Sequence, residues 1–90
     1  MAKSPDIREW PGWQGIFTRE QAPEAKYPNE MRIKKTVHEP GDGTPNGTGG
    51  TVLGSVYAPG KGVAYFVEWD NRPRVAVLVA EYKIGIEFPP

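Results

Sequence analysis

Apolar and polar side chains alternate along much of the chain from Met31 onward, which is the pattern of half-buried β-strands. Residues 31–38 form the first such segment, in which Lys35 is the one polar residue at an inward position. A second strand is predicted over residues 51–57. Residues 75–80 are a continuous apolar run, typical of a strand covered on both faces. The inward residues of the third strand are predicted to be Val63, Tyr65, Val67 and Trp69. A last strand is predicted to contain Ile84, Ile86 and Phe88.

Turn-forming residues separate these five segments. Residues 39–50 hold five glycines and two prolines, and this composition predicts a long loop without a packed element. Shorter turns are predicted at residues 58–62 and 70–73, and a single 3₁₀ turn at residues 79–82. Gly54 interrupts an apolar strand face, where a glycine often marks a bend. Five short strands with such turns predict an all-β fold, a five-stranded antiparallel SH3-like barrel over residues 31–90.

Residues 1–30 have a different character, because they contain four prolines and no sustained hydrophobic period. They are nevertheless rich in large apolar side chains, namely Ile7, Trp10, Trp13, Ile16 and Phe17. This composition predicts an irregular aromatic N-terminal arm that is ordered by packing on the barrel. A flexible tail is the alternative, and a short helical turn near residues 19–25 is compatible with either. The arm aromatics then either seal the open side of the barrel or contact a partner protein.

Composition and charge exclude several classes of protein. Lysine and arginine number 11, aspartate and glutamate number 11, and the formal net charge is therefore zero. Cysteine is absent, which excludes disulfides, thiolate metal sites and cysteine nucleophiles. No apolar run reaches the roughly 18 residues of a membrane span, and the first residues lack the apolar region of a signal peptide. We therefore expect a small soluble protein of the cytoplasm that is a monomer on its own.

Candidate chemical motifs are incomplete. A calcium loop that starts at Asp42 would place Leu53 where a bidentate carboxylate is needed. The Gly-Lys pair at residues 60–61 precedes a strand rather than the helix of a phosphate-binding loop. His38 is the single histidine, and Glu68 and Asp70 flank Trp69 at a strand end, where charged residues usually contact solvent. The sequence therefore predicts no enzyme activity, no catalytic residue, no metal site and no cofactor.

Two short motifs carry a resemblance to known small barrels over roughly residues 30–87. Met31-Arg-Ile followed by Gly47-Thr-Gly-Gly-Thr-Val52 resembles the Gly-x-x-Gly-x-Val core of KOW-type barrels. The segments Phe66-Val-Glu-Trp-Asp70 and Ala80-Glu-Tyr-Lys-Ile84 are similar to segments of photosystem I reaction-centre subunit IV, the ferredoxin–thioredoxin reductase variable chain and NifZ-type accessory proteins. The resemblance implies an SH3-like fold and a non-catalytic subunit that docks onto a larger redox or metal-cluster enzyme.

Two functional hypotheses follow. The first is a non-catalytic accessory or adaptor module that binds a larger protein through loop, turn and arm residues, of which we expect Trp13, Asp42, Asn46, Arg72 and Arg74 to contact the partner. The second is a nucleic-acid-binding or ribosome-associated barrel that uses the basic residues Arg32, Lys34, Arg72 and Arg74. A sequence pI of 6.6 disfavours the second hypothesis, because dedicated nucleic-acid domains are usually basic.

Overall fold

A computed structural model describes residues 17–87 of the chain, which form one antiparallel sheet of five strands. The strands are β1 (Arg32–Lys35), β2 (Gly49–Ala58), β3 (Gly62–Trp69), β4 (Val77–Ala80) and β5 (Ile84–Ile86). A 3₁₀ turn (Glu81–Lys83) connects β4 to β5, and residues 17–87 contain no α-helix. The predicted all-β class is therefore confirmed. The predicted residues Ile7, Trp10, Trp13, Ile16 and Phe88 lie outside the described part of the chain.

The strands pair in the order β4-β3-β2-β1-β5, so β4 and β5 lie at the two ends of the sheet. Consecutive antiparallel pairing joins β2 to β3 and β3 to β4, while β1 pairs with both β2 and β5. Gly60 and Gly62 adopt positive φ in the tight β2–β3 turn, which is why this turn uses glycine. No helix in the described residues is long and apolar enough to cross a membrane.

The core lies on one face of β3, as the alternation predicts. Val63, Tyr65, Val67 and Trp69 are all buried there together with Ile33 of β1 and Val52 of β2. The opposite side of β3 is also buried, so β3 is covered on both faces.

The prediction of a doubly covered strand over residues 75–80 is wrong for the first part of the segment. Val75 is 46% exposed, Ala76 is exposed, and Val77 and Leu78 are only half-buried, whereas Val79 and Ala80 are buried. The exposed residues precede the strand, because β4 begins only at Val77.

The first strand is shorter than its alternation predicts. It ends at Lys35, and Val37, predicted to point inward, is 37% exposed. Beyond Lys35 the backbone is hydrogen-bonded to the 3₁₀ turn. The N–H groups of Thr36 and Val37 both donate to the Lys83 carbonyl oxygen, at 2.8 and 3.3 Å. The second strand is longer than predicted, since Gly49 and Gly50 belong to β2 rather than to the loop.

A β-bulge interrupts the pairing of β2 with β3 between Val52 and Gly54. The predicted alternation over residues 51–57 is therefore wrong after Leu53, because Gly54 and Ser55 are both buried. The preceding segment of chain packs over this bulge: the Ser55 N–H donates to the Glu20 carbonyl at 2.8 Å, and the Ser55 hydroxyl accepts from the Ala22 N–H at 2.9 Å.

A second contact fixes the same segment to the sheet at Tyr65. The N–H groups of Lys26 and Tyr27 donate to the Tyr65 hydroxyl at 2.8 and 3.1 Å, and this hydroxyl donates to the Glu81 carboxylate. The ring of Tyr27 is buried against Tyr65, with the ring centroids 5.5 Å apart. Residues 17–30 thus have no helix or strand of their own and are held by hydrogen bonds to β2 and β3.

Candidate functional site

Two buried lysines hold the long loop of residues 36–48 against the end of the sheet. Lys35 and Lys83 are 3% and 7% exposed, yet each ammonium group contacts a carboxylate of the loop. Asp42 bridges the two, since its Oδ2 lies 3.1 Å from Lys35 Nζ and its Oδ1 lies 2.9 Å from Lys83 Nζ. Glu39 Oε1 lies 3.1 Å from Lys83 Nζ, and the Thr44 carbonyl accepts from Lys35 Nζ at 3.0 Å. We call these five residues the lysine–carboxylate network.

Local backbone geometry aims the loop carboxylates at the lysines. The Glu39 N–H donates to Asp42 Oδ2 at 2.9 Å, and the Asp42 N–H donates back to the Glu39 carbonyl at 3.0 Å. Gly41, at φ +92°, makes this tight turn possible. Tyr82 donates its hydroxyl to Glu39 Oε1 at 2.9 Å. The loop therefore contains a packed element, with Thr44 buried, and the expectation that none forms there is wrong.

The pKa values of the network reflect two opposing effects. Burial alone would raise the pKa of the Asp42 carboxyl, but hydrogen bonds from both ammonium groups and a backbone N–H outweigh it and lower that pKa to about 2. Burial disfavours the charged form of Lys83, and its hydrogen bonds to Asp42 and Glu39 nevertheless raise the pKa of this lysine. Both partners thus stay charged over a wide pH range.

We expect the network to make stability depend on acid pH. The Asp42 pKa is lower in the folded protein (about 2) than its ordinary value of 3.8, so its contribution is complete above 3.8 and is lost as pH falls towards 2. Urea unfolding of the wild type should show a loss of about 2 kcal/mol over this interval. Asp42→Asn should be less stable at neutral pH and should show a flatter pH dependence.

Glu24→Gln is the control for this experiment, because Glu24 is an exposed carboxylate outside the network. This variant should follow the wild-type pH profile. Equal pH dependence of the wild type and Asp42→Asn would show that Asp42 does not hold the loop.

A second ionic cluster lies on the sheet surface and involves Arg32, one of the predicted nucleic-acid-binding residues. Its guanidinium forms paired hydrogen bonds to Asp70, at 2.9 and 2.6 Å, and to Glu87, at 2.9 Å for each bond. These hydrogen bonds raise the pKa of Arg32 and lower those of Asp70 and Glu87. Lys34 also favours the charged form of Glu87 through its own charge. Carboxylates therefore compensate the positive charge along β1.

Arg72 and Arg74 lie in the turn between β3 and β4, and both are exposed. The Arg72 guanidinium lies over the long loop, since a Cβ built at Gly43 would be 2.7 Å from its Nη2. Arg74 adopts φ +70°, and its N–H donates to Glu68 Oε2 at 2.7 Å. Neither guanidinium forms an ion pair with another residue of the range 17–87.

The structure brings part of the predicted partner surface together. Arg72 adjoins the long loop, and Asn46 is exposed on that loop. The Asp42 carboxylate, by contrast, lies between two buried ammonium groups, with 17% of its side chain exposed. Trp13 is outside the described residues. We use the name loop–turn surface for residues 36–48 and 70–76, without the interior Asp42 and Thr44.

Sequence reasoning missed the two lysines of the network. A signal existed for Lys35, because it occupies an inward position of an alternating strand, where a lysine needs a buried carboxylate. Lys83 gave no comparable signal, since it lies in a turn. His38, the single histidine of the chain, has its Nδ1 3.3 Å from the Thr44 carbonyl oxygen.

Within residues 17–87, no group of three histidine, aspartate or glutamate side chains is placed to hold a metal ion. The absence of a catalytic site, a metal and a cofactor stays a prediction. Comparison with known proteins finds no matching family model, no matching curated relative and no matching solved structure.

Proposed function

We propose that this chain is a non-catalytic accessory or adaptor module that binds a larger protein through the loop–turn surface. The resemblance of residues 30–87 to small barrel subunits suggests a redox or metal-cluster enzyme as the partner. The strand order, the long loop after β1 and the 3₁₀ turn before β5 support the SH3-like interpretation on which this resemblance depends.

The observation that carries the proposal is the bridge from Asp42 to Lys35 and Lys83. A glycine-rich loop of this length would normally lose much conformational entropy on binding a partner. Here the ion pairs already hold the loop in one conformation, so less entropy is lost when a partner binds. A loop ordered in this way, next to an exposed arginine, has the properties of a preformed protein-binding surface.

Nucleic-acid binding is the less favoured function, because Arg32 is already paired. A phosphate would have to displace Asp70 and Glu87 from its guanidinium. Of the four residues in that hypothesis, Lys34, Arg72 and Arg74 form no ion pair among the described residues. Three such charges give only a small counterion-release effect compared with the six to ten phosphate contacts of strong binders.

The test is affinity capture with the tagged full chain from nuclease-treated native lysate, followed by identification of the recovered proteins. Arg72→Glu should lower the recovery of the main partner at least about tenfold, which corresponds to about 1.4 kcal/mol. Lys61→Glu is the matched control, because Lys61 is exposed in the β2–β3 turn at the opposite end of β3. It should recover the partner as the wild type does.

Three results would contradict the proposal. Recovery that depends on intact nucleic acid, with a steep and log-linear fall as salt rises, would favour the nucleic-acid hypothesis. Equal loss with Arg72→Glu and Lys61→Glu would indicate non-specific charge effects. Unchanged recovery with Arg72→Glu would place the binding surface elsewhere on the molecule.

A further inference from the structure

Strand β4 is an apolar strand at one end of the sheet. This strand is at one end of the sheet order, so one of its sides has no strand neighbour within the described sheet. The chain from Val75 to Ala80 contains no charged residue and no proline. Val75, which is 46% exposed, and Ala76, which is also exposed, directly precede the strand. Within the strand Val77 and Leu78 are half-buried, and Val79 and Ala80 are buried. An apolar sheet edge of this kind readily accepts an additional strand.

The opposite edge of the sheet has features that oppose such pairing. Strand β5 is only three residues long and contains Gly85. It is followed directly by Glu87, whose carboxylate is paired with Arg32 of the neighbouring strand β1. Short strands and adjacent charged residues are common protections of a sheet edge. Strand β4 is also short, at four residues, and is also followed by a glutamate, Glu81. The difference between the two ends is the pair of arginines that precedes β4, which favours this strand for an acidic segment.

Positive charge marks the beginning of the β4 edge. Arg72 and Arg74 precede Val75 directly in the chain, and their guanidinium groups have no ion-pair partner within residues 17–87. Arg32, Lys35 and Lys83, by contrast, are each bound to carboxylates. Both arginines are therefore available to carboxylates of a partner: the Arg72 guanidinium lies over the long loop, and Arg74 lies in the turn directly before the apolar segment.

We propose that the partner protein adds an extended, acidic segment to the free edge of β4, with its carboxylates on Arg72 and Arg74. This inference rests on the proposed accessory function and specifies its recognition mode, which is strand addition with backbone hydrogen bonds and alternating side-chain contacts. A second copy of this chain fits the edge less well. The residues that follow β4 are occupied within their own molecule, Glu81 by Tyr65 and Lys83 by Asp42.

Peptide titration of the isotope-labelled full chain, followed by backbone amide chemical shifts, tests this proposal. The probe is a seven-residue peptide of alternating glutamate and valine, which has the charge and period of the expected segment. It should shift the amides of residues 70–80. A lysine–valine peptide of the same pattern should leave these amide shifts unchanged. The acidic peptide with proline in place of its central valine should also leave them unchanged, because proline removes a backbone donor.

Two matched variants locate the binding edge. Val75→Glu places a negative charge between Arg74 and the start of β4 and should weaken binding of the acidic peptide at least about tenfold. Ile86→Glu introduces the same charge at the β5 edge, where Ile86 is 53% exposed, and should leave binding unchanged. Both positions are exposed, so both variants should keep the wild-type melting temperature. No shifts in the wild type, equal shifts with all peptides, or shifts centred on β5 would overturn the proposal.

The capture experiment separates failure of this inference from failure of the proposed function. If Val75→Glu retains the partner that Arg72→Glu loses, strand addition is wrong while the loop–turn surface stands. If neither variant lowers recovery, both proposals are wrong. Sedimentation of the purified chain measures its oligomeric state. A dimer that Val75→Glu dissociates would identify a second copy as the occupant of the edge, and this result would contradict the proposal of an acidic partner segment.

Discussion

Gly54→Ala should lower the free energy of unfolding by about 3 kcal/mol, the largest effect of any single added methyl group that we expect here. A Cβ at this position would overlap the carbonyl oxygen of Thr18 and would also crowd the Cα of Arg19. Both contacts are with backbone, so no rotamer change relieves them. The segment before residue 30 would have to move away from β2, and its hydrogen bonds to Ser55 would be lost. Urea denaturation followed by fluorescence measures the difference.

Gly85→Ala is the control for this prediction. Gly85 lies in β5, and a Cβ there would be 3.2 Å from the methyl group of Thr36, which is a side chain that can shift. We expect a change below about 1 kcal/mol for this variant. Similar losses of stability from Gly54→Ala and Gly85→Ala would show that strand conformation, rather than contact with the backbone of Thr18, determines the destabilisation at Gly54.

Tyr65→Phe should destabilise the protein by about 2 kcal/mol, although it removes only one oxygen atom. The Tyr65 side chain is fully buried, and its hydroxyl accepts from two backbone N–H groups while it donates to Glu81. Burial and the hydrogen bond to Glu81 raise the pKa of this phenol, so it stays protonated and able to donate. Phenylalanine would leave the N–H groups of Lys26 and Tyr27 without this acceptor.

Tyr57→Phe provides the matched control, because it deletes the same atom from a tyrosine that is 45% exposed. Its effect on the free energy of unfolding should stay within about 0.5 kcal/mol. Amide hydrogen exchange adds a local measurement: in Tyr65→Phe the amides of Lys26 and Tyr27 should exchange faster than in the wild type. Unchanged exchange at both amides would mean that the Tyr65 hydroxyl does not hold this segment in solution.

The zero net charge of the chain conceals an uneven distribution of compensated and uncompensated charges. Arg32, Lys35 and Lys83 each form an ion pair with a carboxylate, so their charges are compensated. Arg72 and Arg74 of the β3–β4 turn lack such contacts within residues 17–87, as do Arg19, Lys26, Lys34 and Lys61. A net charge of zero is therefore compatible with the acidic partner segment that we propose for the β4 edge, because uncompensated cations remain locally.

The amino-acid sequence by itself determined the all-β class and the inward face of β3. Alternation follows directly from the strand pleat, which places successive side chains on opposite faces whatever surrounds the strand. Val63, Tyr65, Val67 and Trp69 are therefore correctly predicted as core from one short segment. The turn between β2 and β3 is equally local, because its glycines adopt positive φ within the turn itself.

Tertiary structure alone decided how the remaining segments are covered and paired. Lys35 is buried because a loop carboxylate contacts it, Gly54 is required because Thr18 crosses above it, and the apolar segment 75–80 is only partly buried because its first residues lie in the turn before β4. Each of these outcomes depends on residues outside the segment concerned, so no periodicity within that segment records it. An apolar run shows that burial is possible, whereas the tertiary structure decides which of its residues are covered.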